Sequence, residues 1–299
     1  MKILGKYRNG NYTVFIAEDG TKVRYNNLDF FEPEKPESMD IKITNMCDIG
    51  CPFCHENSTK DGLHGDIMNL KFIETLLPYT ELAIGGGNPL THPDLIPFLQ
   101  KCKSLKLIPN MTINQVHFMK PEYQELINRL VNEKLIYGLG ISLTKVTDDF
   151  ITEVKKYPNA VIHIINGVQC LCEIKKLYDQ DLKILILGYK QFRKGIEYSE
   201  SKGLTLTADQ VDMYNELEEM LKHFKVISFD NLALEQLETH RLLTAEEWKQ
   251  FFMGDDGSYT MYIDCVNKQY ARSSTTPIEQ RQDLLDDIKP MFDYVRNLK

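Results

Sequence analysis

The 299-residue sequence lacks the features that mark membrane and exported proteins. Its apolar runs, such as 161–165 and 184–187, are far too short to cross a bilayer. The residues after Leu4 soon turn polar, so the amino-terminal segment does not read as a secretory signal. We therefore expect a soluble, cytoplasmic protein.

The sequence also lacks an excess of positive charge. Lysine and arginine number 35 against 43 aspartate and glutamate residues, which gives a formal net charge of −8. Nucleic-acid binding depends on clustered basic side chains that neutralise phosphates. Nucleic acid is therefore disfavoured as a partner, and a peptide, a protein or a small metabolite is favoured as a substrate.

Short apolar runs alternate with amphipathic stretches through the middle of the chain. The runs predict strands at 39–44, 82–84, 107–113, 137–143, 161–165 and 183–187. The stretches between them predict helices at 67–77, 94–105, 121–133, 148–157 and 168–178. This order indicates right-handed βα units around a parallel sheet. Six units are too few for a complete eight-stranded barrel, so the predicted fold class is α/β, a partial (βα)6 TIM-like barrel.

The segments on either side of this core do not continue the alternation of strands and helices. Alternating residues at 12–17 and 21–25 predict an amino-terminal β meander, which a Pro- and Glu-rich linker follows. After residue 190 the pattern predicts a C-terminal α/β extension with a short strand at 226–229, a hairpin formed by 258–264 and 269–272, and a final helix over 278–298. The predicted domains are residues 1–37, 38–190 and 191–299.

The cysteines are the most informative residues. In a chain without an export signal, we expect all seven to be thiols or metal ligands and not structural disulfides. Cys47, Cys51 and Cys54 follow the first barrel strand with C-x3-C-x2-C spacing, at the edge of a parallel barrel where active sites form. Three thiolates on one loop can hold three corners of an iron–sulfur cubane and leave the fourth iron without a protein ligand.

Other kinds of metal site fit these cysteines less well. A structural zinc ion would need a fourth ligand, and His55 directly follows a cysteine, which makes a shared tetrahedral site strained. A haem attachment through C-x-x-C-H implies export and leaves Cys47 unexplained. Cys170 and Cys172, with Cys265, raise the question of an auxiliary cluster; a helix would splay a C-x-C pair by about 200°, so we expect none.

On these residues the chain resembles radical SAM enzymes. In that family, a C-x3-C-x2-C loop with an aromatic residue before its last cysteine holds a [4Fe–4S] cluster, whose open iron binds S-adenosylmethionine. The segment 85–90, Gly-Gly-Gly-Asn-Pro-Leu, resembles the Gly-Gly-Glu-Pro segment that binds the methionyl amine. Segments on the third and fourth strands resemble the recurring Thr-x-Asn and Ile-Ser-Leu-Asp types. The resemblance implies that the metal ligands are Cys47, Cys51 and Cys54, and that the cofactor-binding residues are Phe53, Gly86, Gly87, Asn88, Asn114 and Ser142.

The resemblance also implies a reaction. A reduced cluster cleaves S-adenosylmethionine to a 5′-deoxyadenosyl radical that abstracts hydrogen from a substrate, and a flavodoxin- or ferredoxin-type reductant supplies the electron. Asn88 stands where the family usually has glutamate, and a neutral acceptor holds an ammonium group less tightly than a carboxylate does. We expect several-fold weaker cofactor binding. The alternative function is a non-catalytic iron–sulfur or zinc-binding module for electron transfer or structure, which would not need the glycine segment.

Overall fold

The computed structural model describes residues 2–298. The chain begins with a three-stranded antiparallel sheet of β1 (Ile3–Asn9), β2 (Tyr12–Ala17) and β3 (Lys22–Tyr25). The predicted meander therefore gains β1, in which glycine and basic residues interrupt the apolar pattern. Tyr12 donates a 2.5 Å hydrogen bond to Glu37, whose buried carboxylate also pairs with Arg24 and so ties the meander to the linker.

A second sheet forms the body of the protein. Its strands are β4 (Ser38–Thr44), β5 (Glu81–Gly86), β6 (Ile108–Asn114), β7 (Gly138–Ser142), β8 (Ala160–Ile165), β9 (Lys183–Leu187), β10 (Val226–Phe229), β11 (Thr260–Asp264), β12 (Gln269–Ala271) and β13 (Gln282–Asp283). Their order is β10-β9-β8-β7-β6-β5-β4-β11-β12-β13, and all pairs from β10 to β11 are parallel. The six predicted core strands, the short strand at 226–229 and the C-terminal hairpin are confirmed. The domain boundaries stay predictions.

The helices connect the strands, and several of them pack on one face of the sheet. They are α1 (Leu95–Ser104), α2 (Gln115–Phe118), α3 (Pro121–Asn132), α4 (Asp148–Val154), α5 (Leu171–Ile174), α6 (Lys194–Lys202), α7 (Leu204–Met220), α8 (Asn231–Gln236), α9 (Ala245–Phe251) and α10 (Ile288–Asn297). The helix predicted over 67–77 is wrong: only a 3-10 turn forms, at Lys71–Thr75. Pro78 disfavours helical backbone at Leu77, which limits the turn.

The final helix is also shorter than the sequence predicts. Residues 278–280 form a 3-10 turn, and residues 282–283 form the edge strand β13, which pairs with β12 instead of continuing the helix. The side chain of Asp287 accepts a hydrogen bond from Lys289 N and caps the start of α10. Tertiary pairing therefore overrides the amphipathic pattern here.

Alternation along the strands gives the sheet two different faces. On β4, Met39, Ile41 and Ile43 are buried in the core beneath the helices. The intervening positions of the strands point to the opposite face, and many of them are polar. They include Asp40, Lys42, Asn114, Ser142 and His163. This polar face lines the inside of the partial barrel, and the carboxyl ends of the strands carry the loops described below.

None of the helices in the described part of the chain combines the length and the apolar character needed to span a membrane.

Phe98 on α1 tests the packing of the helices on the sheet, because it is fully buried. Phe98→Ala should lower the free energy of unfolding by about 3–5 kcal/mol through lost burial and a cavity. Val211→Ala, at a half-exposed site on α7, should change it by less than about 0.5 kcal/mol. Denaturant titration measures both values, and equal losses would contradict the described core.

Candidate functional site

The three clustered cysteines lie on a long loop that follows β4, which we call the cysteine loop (residues 45–64). The loop closes on itself near its base, where Cys47 N donates to Thr59 O and Asn45 N donates to Leu63 O. Thr44, the last residue of β4, contacts His64 Nδ1 through its hydroxyl at 2.9 Å. The loop therefore begins and ends at the carboxyl edge of the sheet.

A glycine segment after β5 (residues 85–90) packs directly on the base of this loop. Gly87 N donates to Thr44 O at 2.7 Å, and Asn88 N donates to Met46 O at 2.6 Å. A Cβ atom on Gly87 would lie 2.1 Å from Met46 O, and Gly86 has a φ of +114°, which favours glycine. Only a backbone without side chains at these two positions can approach the cysteine loop so closely.

The cysteine sulfurs are arranged differently from the ligands of one ion. Among the described residues, the group close enough to share a single ion is Cys47, Asp48 and His117, and Cys51 and Cys54 fall outside it. In that group Asp48 is already paired, with His117 at 2.5 Å and with Lys120 at 3.0 Å. A cubane binds its cysteines through separate irons, so sulfurs that are spread apart suit it better than they suit zinc.

The protein environment favours the protonated form of two of the three thiols. Burial, with a smaller contribution from the two neighbouring cysteines, raises the pKa of Cys51 to about 11. Burial also raises the pKa of Cys47. Metal binding must therefore displace protons from these thiols, as it does at cysteine sites generally.

The other predicted site residues border the loop from several elements. Phe53 packs edge-on against Tyr198 of α6, with ring centroids 5.4 Å apart. Asn114 Nδ2 lies 3.9 Å from Cys51 Sγ, while its Oδ1 accepts from Val116 N and caps α2. Ser142 is the register partner of Asn114 on the next strand. The structure therefore brings these positions to one edge; their cofactor contacts stay predictions.

Asn88 is more constrained than its position in the motif indicates. Its side chain is buried, its Oδ1 accepts from Leu90 N at 3.2 Å, and its Nδ2 donates to Tyr123 OH at 3.2 Å. The amide thus caps the short 3-10 turn at Pro89–Thr91. Its role toward the methionyl amine stays a prediction.

A buried group of charges beneath the cysteine loop was not identified from the sequence. Lys42 Nζ lies 3.0 Å from Glu56 and 3.1 Å from Asp264, and Arg281 lies 3.4 Å from Asp264. Tyr262 OH donates to Glu56 at 3.1 Å. We call these five residues the Lys42 network. In the sequence, the one sign of this network is a lysine, Lys42, in the middle of an apolar strand. The residues of β11 lie far from Lys42 in sequence and come close to it only in the folded protein.

The prediction for Cys170 and Cys172 needs correction, because the two form a disulfide. Cys170 has extended backbone and precedes α5, so the pair does not lie on one helix and the expected splaying of the thiols does not apply. Cys265 is buried near Gly65, at the turn between β11 and β12.

Comparisons with known proteins bear on the fold. No family model matches the chain. SuiB of Streptococcus suis bound to S-adenosylmethionine superposes with a TM-score of 0.64 at 12% identity, over 100% of this chain and 90% of SuiB. SuiB bound to the precursor peptide SuiA superposes with a TM-score of 0.60 at 15% identity, over 89% of this chain and 68% of SuiB. The structure of anSMEcpe with bound AdoMet superposes with a TM-score of 0.50 at 12% identity, over 88% of this chain and 77% of anSMEcpe.

One curated sequence relative agrees with these structures. PqqA peptide cyclase of Gluconobacter oxydans is 23% identical over 99 residues, which is 31% of this chain and 28% of the cyclase. The chain has the radical SAM fold. The predicted resemblance and the predicted partial α/β barrel are therefore confirmed.

The close contact between the glycine segment and the cysteine loop can be tested without a cofactor. Gly87→Ala should lower the free energy of unfolding of the metal-free protein by about 1–3 kcal/mol, because the new methyl group displaces Met46 O. Gly85→Ala is the matched control, since nothing lies within 4 Å of its added Cβ. Denaturant titration should show no loss for the control; similar losses in both variants would contradict the close approach.

Proposed function

We propose that this chain is a radical SAM enzyme that modifies a peptide. The observation that carries the proposal is the junction at the carboxyl edge of the parallel strands, where the glycine segment is hydrogen-bonded to the base of the cysteine loop. An iron–sulfur module for electron transfer would need the cysteines, but it would have no use for a second loop built without side chains beside them.

The proposal gives the site residues distinct roles. Cys47, Cys51 and Cys54 would hold a [4Fe–4S] cluster, which supplies the electron that cleaves S-adenosylmethionine. Gly86 and Gly87 let the glycine segment lie against the base of the cysteine loop, where it would bind the cofactor's methionyl group. The three thiols are partly buried, which limits the access of water to the cluster that they would hold.

Cleavage of S-adenosylmethionine tests the enzyme class. After anaerobic reconstitution with iron and sulfide, addition of dithionite and S-adenosylmethionine should release 5′-deoxyadenosine, measured by chromatography. Cys51→Ala should lose both the brown colour and the release, because one cluster ligand is missing. Cys102→Ala, in the core of α1, should keep both. A colourless protein with one zinc per chain, or a full cluster without release, would favour the non-catalytic module.

The substrate class is supported by the relatives. SuiB was solved with a precursor peptide, and the curated relative is named for the peptide that it cyclises. The cyclase match spans less than a third of either protein, so it supports the peptide class and does not identify a particular peptide.

A cavity beside β4, β10 and β11 gives room for a substrate group. It has a volume of about 670 Å³ and is lined by residues from β4, β10, β11 and α9, among them Asp40, Phe229 and Trp248. Volumes of this size are typical of small-ligand sites. Desolvation raises the pKa of Asp40 to about 6, against the opposing charge of Lys190. Charged and aromatic walls together suit an amino-acid side chain.

Mass spectrometry tests the peptide class. A pooled synthetic peptide library should yield products of altered mass when incubated with the reduced enzyme and S-adenosylmethionine, and none when the cofactor is omitted. Pools of nucleosides and sugars serve as controls. Modification confined to one of those pools would contradict the peptide class.

We further propose a cytoplasmic enzyme that takes its electron from a flavodoxin or ferredoxin. Apart from the Cys170–Cys172 pair, the cysteines are free thiols, which is typical of a reducing compartment. Replacement of dithionite by a reduced flavodoxin should sustain the release of 5′-deoxyadenosine.

A further inference from the structure

Glu56 occupies an unusual place, two residues after the last cysteine of the loop. Its carboxylate is buried, with 7% of the side chain exposed, and it lies 3.0 Å from Lys42 Nζ and 3.1 Å from Tyr262 OH. Arg193 also donates to the backbone carbonyls of His55 and Glu56, at 3.2 Å and 3.0 Å. Side chains from three distant parts of the chain therefore meet at one loop residue.

The loop around Glu56 has few other attachments. Within residues 48–58, the amide groups donate to no backbone carbonyl outside that segment of the described chain; Cys54 N and Asn57 N donate to carbonyls inside it. The backbone by itself therefore does not set the position of Cys51 and Cys54 relative to the sheet. Side-chain contacts must do so.

The partners of Glu56 are themselves held rigidly. Lys42 is 1% exposed and lies between Glu56 and Asp264. Asp264 is fully buried and accepts hydrogen bonds from Val266 N and Asn267 N in the turn after β11. A buried charge that loses its partner is costly, so these ions keep one arrangement. The Lys42 network thus forms a fixed base under the loop.

We propose that Glu56 is a positioning residue: through Lys42 of β4 and Tyr262 of β11, it holds the segment with Cys51 and Cys54 in the geometry that retains the cluster. This inference rests on the proposed function, because it concerns the group that the cysteines bind. It also makes the C-terminal extension part of the cluster site, although its residues lie outside the motifs that carry the radical SAM resemblance.

Tyr262→Phe tests the inference with a small change. The variant removes the hydroxyl that donates to Glu56 and leaves the ring in place. We expect reconstituted Tyr262→Phe to release iron to a chelator about tenfold faster than the wild type under anaerobic conditions, as loss of a hydrogen bond to a charged group would give. The electron paramagnetic resonance spectrum of the reduced cluster should also change.

Tyr12→Phe is the matched control. Tyr12 likewise donates to a buried glutamate, Glu37, but in the amino-terminal meander. The Tyr12→Phe variant should have a lower thermal midpoint than the wild type, with an unchanged rate of iron release and an unchanged spectrum of the reduced cluster. Equal acceleration in both variants would show that iron loss follows general stability and would overturn the inference, as would a wild-type rate in Tyr262→Phe.

Glu56→Gln provides a second test if Tyr262→Phe does not fold. It keeps an oxygen acceptor for Tyr262 but leaves Lys42 with one carboxylate partner, and it should also release iron faster than Tyr12→Phe. A wild-type rate in this variant overturns the inference while the proposed function stands. A wild-type protein that takes up no iron and sulfide overturns the proposed function, and the inference with it.

Discussion

The extension of parallel pairing past the ends of β4 and β5 is the interaction on which the site depends. Two backbone hydrogen bonds, from Gly87 N to Thr44 O and from Asn88 N to Met46 O, join loops that would otherwise be separate. Because the bonds lie at the base of the cysteine loop, the loop's position follows from the sheet's register. A side chain at Gly86 or Gly87 would break the approach, since an added Cβ atom at either position would lie within 2.3 Å of a backbone carbonyl oxygen.

The polar face of the sheet explains how one fold holds both a core and a site. The core lies between the sheet and the helices, so the inner face is free to carry Asp40, Asn114 and His163. Burial lowers the pKa of His163 to about 4, so its imidazole is neutral at physiological pH. The charges that are buried here, chiefly Lys42 and Glu56, are paired, as the cost of desolvation requires.

Much of the fold could be predicted because its signals are local. The period of the apolar residues located the six core strands, and the turn between β2 and β3 marked the meander. The predictions that are wrong concern segments whose conformation depends on residues outside their own local pattern. The strand β13 pairs with β12, and Cys170, which pairs with Cys172, has extended backbone before α5 instead of lying on one helix with it.

The sequence by itself determined which residues are able to do the chemistry: the spacing of Cys47, Cys51 and Cys54 and the glycines at 85–87 are readable as a pattern, since each depends on its near neighbours. Only the tertiary structure decided how they are held. Tyr262 and Asp264 come from a strand more than two hundred residues away, and they reach Lys42 and Glu56 because β11 pairs with β4. Contacts across such separations have no periodic signature in a single chain.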